Sequence, residues 1–140
     1  MSKIIFYNLV ILSGGIMTKS DVTKIIYRYP YIAAGIKADS PQIHYYKGNR
    51  KETIVITEEI KIVCAIITEV YESEPVDYIR YMIRSILRGV SNKNIMIEMP
   101  MEKNAYEERK KNFIRKVFML CAKANLVSRE DILNTPIEKI

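Results

Sequence analysis

"SNKNIMIEMPMEKNAYEERKKNFIRKVFMLCAKANLV", Ser91 to Val127, is the stretch that decides how this chain folds. Beyond Pro100 a long helical pattern starts near Lys103. Tyr106, Phe113, Ile114, Val117, Phe118, Cys121 and Ala124 mark its buried side, yet its first turns, "EKNAYEERKKN", are nearly all polar. A helix with an apolar stripe over its trailing half alone is anchored at one end and presents the other to something polar. The residues in front of it, "NKNIMIEM", support two readings. Ile95, Ile97 and Met99 alternate as in a strand, whereas Ile95, Met96 and Met99 suit a short helix.

Working outward, the pattern upstream is helical as well. Pro75 stands near the first turn of a helix, where its missing N–H costs little. Val76, Ile79, Ile83, Ile86, Leu87 and Val90 form that helix's apolar stripe, and Arg80, Arg84 and Arg88 recur along another face. Before it, Thr57 is an N-cap followed by Glu58 and Glu59, acids suited to a helix start. Ile60, Val63, Cys64, Ile67, Val70 and Tyr71 then make one stripe, which Ile62, Ala65 and Ile66 widen. That width predicts a central helix. Pro75 ends it, because a residue before proline avoids helical backbone.

Residues 41–56 are the least helical part, compatible with a hairpin around Gly48-Asn49 or with a loop. Tyr45 and Tyr46 there are open to packing or to stacking on bases. Earlier still, Thr18 or Ser20 can cap a helix carrying Asp21, Val22, Ile25, Ile26 and Tyr29. Pro30 disturbs that pattern, and "YIAAGIKADS" continues as a second short helix that Gly35 weakens.

Residues 1–16 have four readings: a membrane span, a signal peptide, an untranslated leader and an element packed on the core. "IIFYNLVIL" is too short to span a bilayer, which takes about 20 residues. As the apolar region of a signal peptide it lacks a small-residue cleavage site in "SGGIM". Ser13-Gly14-Gly15 can also be encoded by TCAGGAGGA, which contains a bacterial ribosome-binding sequence upstream of Met17. The segment is therefore expected to be an over-called leader or an N-terminal element packed on the core.

The chain has 140 residues, 49% hydrophobic and 27% charged. That suits one compact unit or two small lobes sharing a core. The expected division is an N-terminal helical region at 17–73, a second helical region at 74–127 and a tail at 128–140. Cys64 and Cys121 sit among apolar residues, as buried thiols in a reducing compartment do; a disulfide is the lesser alternative. A single histidine, His44, and no zinc-spaced cluster leave no metal site. Gly14-Gly15 lacks the GK[ST] of a phosphate loop, and no nucleophile-and-base set stands out. The expectation is a non-enzyme without cofactors, cytoplasmic and with no membrane association.

The net charge is +6, and its location matters more than its size. Between Arg80 and Asn125 stand eleven bases against four acids, a local excess of seven. The remaining eleven bases and twelve acids leave −1. The basic excess thus lies wholly in the C-terminal helices, as in a polyanion-binding module. If "NKNIMIEM" is helical, the order is helix, short helix, turn, long helix, that of a helix-turn-helix reader. Polar leading turns would then face base edges while "FIRKVFMLCAKANLV" grips the body.

Val90 to Val127 resembles the C-terminal half of the ArpU/RinA-type phage transcriptional regulators, which are related in form to the fourth region of bacterial sigma factors. "NKNIMIEM" stands where that family has N-x-x-I-A-x-x-L. "EKNAYEERKKNFI" stands where it has S-x-x-T-Y-Y-x-x-[KR]-[KR]-x-x-[IL]. "IIYRYPYIAAGIK" and "ITEEIKIVCAIITEVYES" are similar to its N-terminal and central helices, so the resemblance covers about Met17 to Val127. The sequence departs from the pattern at Met96, Glu102, Ala105 and Glu107; Tyr106 and Arg109-Lys110 match.

The expected fold is an all-α helical bundle with the C-terminal, sigma region 4-like helix-turn-helix that the resemblance implies, and the residues at 42–56 leave room for a small hairpin. The resemblance also implies a phage or prophage transcription regulator, an activator of late genes, that binds double-stranded promoter DNA and in one version contacts RNA polymerase. The residues expected on DNA are Lys103, Asn104, Tyr106, Glu108, Arg109, Lys110, Lys111 and Arg115. Asn104 has the amide that pairs with adenine, or else caps locally. Arg109 suits guanine or phosphate, and Glu108 suits cytosine N4 or solvent. Lys103, Lys110, Lys111 and Arg115 suit phosphates. Tyr106 fits packing better than contact, and Arg84 and Arg88 suit DNA backbone, RNA polymerase or a solvated face. Two other classes stay open: a DNA-packaging protein like the small terminase subunits, and a sigma-like module that binds polymerase.

Overall fold

Thr18 starts the first helix by a reciprocal cap. Its hydroxyl accepts from the Asp21 N–H at 3.1 Å, and the Asp21 carboxylate accepts from the Thr18 N–H at 3.0 Å. The computed structural model describes residues 17–99 and 101–127. The expectations for residues 1–16 and 128–140 lie outside these. Helix α1, Lys19–Tyr27, runs to Arg28, which also begins α2, Tyr29–Lys37. Pro30 occupies the first turn of α2, so it opens that helix rather than breaking α1. Asp39 closes α2 in the left-handed region at φ 54°, with the N–H of Ser40 returning to Gly35 O at 2.9 Å.

Residues 41–56 form the hairpin, not the loop. Strand β1, Gln42–Lys47, pairs antiparallel with β2, Arg50–Val55, in the register Gln42↔Val55 to Lys47↔Arg50. Gly48, at φ +62°, makes the two-residue turn. Tyr45 and Glu52 face each other, as do Ile43 and Ile54, on the side packed against α2. The Tyr45 hydroxyl and Arg28 Nε both donate to Glu52 Oε1, the latter at 3.2 Å. Glu52 is buried, and this pair pins the hairpin to the α1–α2 junction. Gly35 is what lets α2 approach: a Cβ there would lie 2.4 Å from Ile43 Cγ2 and 2.7 Å from Ile56 Cδ1.

Helix α3, Glu58–Ser73, begins at Thr57, whose hydroxyl accepts from the Ile60 N–H at 3.2 Å. Ile60, Val63, Cys64, Ile67 and Val70 are buried along it, the stripe read from the sequence. It stops at Glu74, extended at φ −71° and ψ 116° ahead of Pro75. Helix α4, Asp77–Leu87, starts after Val76, so Pro75 precedes the helix instead of sitting in its first turn. Met82, Ile83, Ile86 and Leu87 are its buried apolar residues, with Ser85 buried among them, whereas Val76, expected on the stripe, is exposed. Gly89, at φ +80°, ends it with the Val90 N–H returning to Ser85 O at 3.0 Å.

"NKNIMIE" is helix α5, Asn92–Glu98, capped by Ser91, whose hydroxyl accepts from the Asn94 N–H. Helical spacing puts Ile95 and Met99 inside, while Ile97 stands 70% exposed. Helix α6, Lys103–Lys123, begins where the sequence placed it. Phe113, Val117, Phe118 and Cys121 bury its trailing half against α1, α3 and α4. Burying each such side chain contributes about 1.5–3 kcal/mol. After Asn125, at φ 60°, Leu126 O accepts from the Met17 N–H at 2.7 Å, and Val127 bridges Met17. One apolar core runs through both 17–73 and 74–127. The protein is thus mostly helical, with a small two-stranded sheet where the sequence leaves room for a hairpin.

Candidate nucleic-acid interface

The leading half of α6 carries the residues singled out in the sequence, and the structure divides them into three groups. Lys103, Asn104, Glu108 and Lys111 are exposed. Arg109 and Lys110 are half-buried, laid along tyrosine rings. Tyr106 and Arg115 are buried, at 1% and 3% exposure.

Tyr106 is thus internal, as the packing reading of it has it, and Arg115, expected on phosphates, is internal as well. Tyr106 turns inward to α5, and its hydroxyl donates to Asn92 Oδ1 at 2.7 Å. Burial pushes that phenol up to about 12, with a smaller push from the neighbouring Tyr27. Arg115 donates to Asn112 Oδ1 at 3.1 Å, one turn back on its own helix. Helical phase alone puts Arg115 on a polar side, but α6 is enclosed more fully in its trailing half than its apolar stripe indicates.

Lys110 donates to the same Asn92 oxygen at 2.8 Å. Its ammonium lies 4.7 Å from the Tyr27 ring centre and 6.0 Å from that of Tyr106. Arg109, on the opposite flank, lies 5.2 Å over the Tyr78 ring. Asn92 thus ties the first turn of α5 to the front of α6, holding the two helices in a fixed relation. No local pattern signals this role, since an asparagine at a helix start reads as a cap.

Charge on the exposed edge is mixed. Lys103 lies 3.9 Å from Glu107, and Glu108 is exposed beside them. Arg80 is paired with Asp77 at 2.6 Å and Lys116 with Glu74 at 3.9 Å. Arg84, Arg88, Lys93, Lys110 and Lys111 form no ion pair with an acid among the described residues. These five stand on α4 and its C-terminal end, on α5 and on the front of α6.

A groove of about 460 Å³ follows the flank of α6 that faces α1, lined by Lys19, Tyr27, Asn92, Lys103, Lys110 and Lys111 among others. Lys19 and Tyr27 come from α1 and were not anticipated. Nothing in their helical pattern sets them apart from ordinary surface residues. Among the described residues no group of His, Cys, Asp and Glu is placed to hold a metal ion, and no helix is long and apolar enough to cross a membrane.

Cys64 and Cys121 are free thiols buried in the core. Burial pushes both up to about 12, so they stay protonated near neutral pH.

Comparisons with protein-family models, with curated proteins and with solved structures found no match to this chain.

Proposed function

We propose that this protein is a sequence-specific DNA-binding transcription regulator of the kind its sequence resembles, encoded by a phage or prophage and activating late genes. The observation that carries this reading is the division of α6. Its leading turns are polar and accessible, while Phe113, Val117, Phe118 and Cys121 fix its trailing half in the core. A helix held at one end and polar at the other can enter a major groove without loss of packing.

In this arrangement Asn104 and Glu108 meet base edges, and Lys103 and Lys111 meet phosphates. Lys110 and Arg109 lie on the two flanks of α6, where phosphates of opposite strands pass. Tyr106 and Asn92 set the angle between α5 and α6. Binding-site selection from random or phage DNA tests the reading, followed by gel shifts at rising salt. An enriched motif whose affinity falls steeply with salt supports it. No motif, or affinity indifferent to salt, overturns it.

A second reading, a module that binds RNA polymerase, has its own observation. Asp77, Tyr78, Tyr81, Glu98, Met99, Met101, Ala105 and Arg109 line a groove of about 670 Å³ between α4 and the α5–α6 pair. Exposed Tyr78 and Tyr81 border it, an aromatic surface of the sort protein partners cover. Polymerase pull-down with the full chain, with and without Tyr78→Ala and Tyr81→Ala, separates the two readings.

A further inference from the structure

Beyond the α6 groove, on the far side of Tyr27, lies a separate cleft of about 490 Å³. Tyr27, Arg28, Pro30, Tyr31, Tyr45, Tyr46, Arg88 and Gly89 line it, so four of its eight residues are tyrosines. We propose that this cleft binds single-stranded nucleic acid, stacking an unpaired base on Tyr31 and placing the adjoining phosphate at Arg88.

Three observations carry this. Tyr31 and Tyr45 are stacked, with ring centres 4.3 Å apart and planes within 5°. Tyr45 is fixed beneath by its hydrogen bond to Glu52, so one face of Tyr31 rests on a rigid support. Tyr31 nevertheless remains 47% exposed, leaving room for a third ring to extend the stack. The cleft is also electrostatically one-sided. Glu52 is already engaged by Arg28 and Tyr45, while Arg88 is exposed and forms no ion pair among the described residues. A planar group bearing negative charge matches such a surface, and a nucleotide supplies both in one unit.

The strand must be single because a duplex keeps its base faces stacked on one another and offers none to Tyr31. The size agrees, since clefts of roughly 300–1,000 Å³ take ligands of nucleotide scale. The proposal does not need α6 to enter a duplex: Tyr27 lines both the cleft and the α6 groove, but the stacking face of Tyr31 belongs to the cleft alone.

The test is fluorescence anisotropy with the full chain and three labelled probes. These are a thymidine oligonucleotide of about 15 residues, an abasic oligonucleotide of the same length, and a duplex of about 20 base pairs. The thymidine strand should bind about tenfold or more tightly than the abasic strand, which has the phosphates but no rings. Tyr31→Ala and Arg88→Ala should each weaken thymidine binding by about tenfold, Tyr31→Phe should retain it, and duplex affinity should stay within about twofold in Tyr31→Ala. Equal affinity for thymidine and abasic strands overturns the proposal, as does thymidine affinity indifferent to Tyr31→Ala and Arg88→Ala in variants whose thermal melts match the parent. Loss of duplex binding with thymidine binding intact would instead count against the α6 reading alone.

Discussion

The Tyr106 hydroxyl donates to Asn92 Oδ1 at 2.7 Å, so the buried tyrosine of α6 is tied to the first residue of α5. Lys110 meets the same oxygen at 2.8 Å, and one amide thereby governs both a buried and a surface contact. Tyr106→Phe keeps the ring and removes only the hydroxyl. It should destabilise by about 0.5–1.5 kcal/mol, read as a lower midpoint in urea. Tyr106→Ala leaves a cavity and should cost about 3–5 kcal/mol. A Tyr106→Phe midpoint equal to the parent's would mean that the hydrogen bond sets geometry without adding stability.

The surface of α6 should separate from its interior in a salt titration of duplex binding. Lys103→Ala combined with Lys111→Ala removes two exposed cations and should lower the salt slope by about two. Asn104→Ala should instead relax preference among sites by about 1–3 kcal/mol at one position, with the slope unchanged. Arg115→Ala should behave differently from all three. Its side chain is buried, so thermal stability falls while the salt slope of the folded protein stays as it was.

Gly35→Ala sets two effects of opposite sign against each other. Alanine favours an exposed helix interior by about 1 kcal/mol. Here, however, the added Cβ would come within 2.4 Å of Ile43 Cγ2 and 2.7 Å of Ile56 Cδ1. Moving both side chains costs about 1–3 kcal/mol, so the variant should be neutral to destabilised by about 2 kcal/mol. Since the clash falls on the hairpin, hydrogen exchange should quicken first in β1 and β2. A stabilised variant would show that Ile43 and Ile56 yield to the added methyl at little cost.

How much of this could be read beforehand depended on whether the signal was local. The caps at Thr18 and Thr57, the α3 stripe and the start of α6 at Lys103 rest on neighbours within a turn, and each holds. Residues 92–98 support two readings because Ile95, Ile97 and Met99 satisfy a strand's period while Ile95 and Met99 also satisfy a helix's. The Ser91 cap and the outward Ile97 resolve that choice. Gly35 looked like a flaw in α2, since its reason is a strand packed across the chain. The inward placement of Arg115 was likewise invisible, because helical periodicity fixes a direction and not what covers it. The cleft at Tyr27, Tyr31, Tyr45 and Arg88 joins residues from α1, α2, β1 and the end of α4, a proximity that only the tertiary fold creates.

Glu52 and Arg28 offer a test of how the hairpin is attached. Glu52→Gln keeps the shape but removes the charge that Arg28 and Tyr45 both address. Breaking one side of a buried pair typically costs about 3–5 kcal/mol. Arg28 retains some exposure, so a loss of about 2–3 kcal/mol is expected here. Removing the Glu52 charge should also let the Tyr45 hydroxyl ionise more readily, since burial and the bond to this carboxylate hold its pKa far above its usual value. An ultraviolet titration should then show one tyrosine ionising at lower pH than in the parent.

The two core thiols predict a fall in stability on the alkaline side. Cys64 and Cys121 are pushed from the usual 9.0 up to about 12 by burial in the folded protein. The native state therefore holds its thiol protons more tightly than the unfolded chain does. Their contribution is complete below about pH 9 and is lost progressively as pH climbs towards 12. Each thiol can steepen the loss by up to about 1.4 kcal/mol per pH unit inside that window. Tyr106, also raised to about 12, adds to it with the same sign from its own ordinary value of 10.0. Urea midpoints measured between about pH 8 and pH 10.5 should fall in the parent and fall less steeply in a Cys64→Ala, Cys121→Ala double variant, even though that variant starts lower. Ellman's reagent supplies the companion measurement, since both thiols should react only as fast as the core opens. Rapid labelling of either cysteine under native conditions, or parallel pH profiles in parent and variant, would show that these thiols are not sealed between α3 and α6.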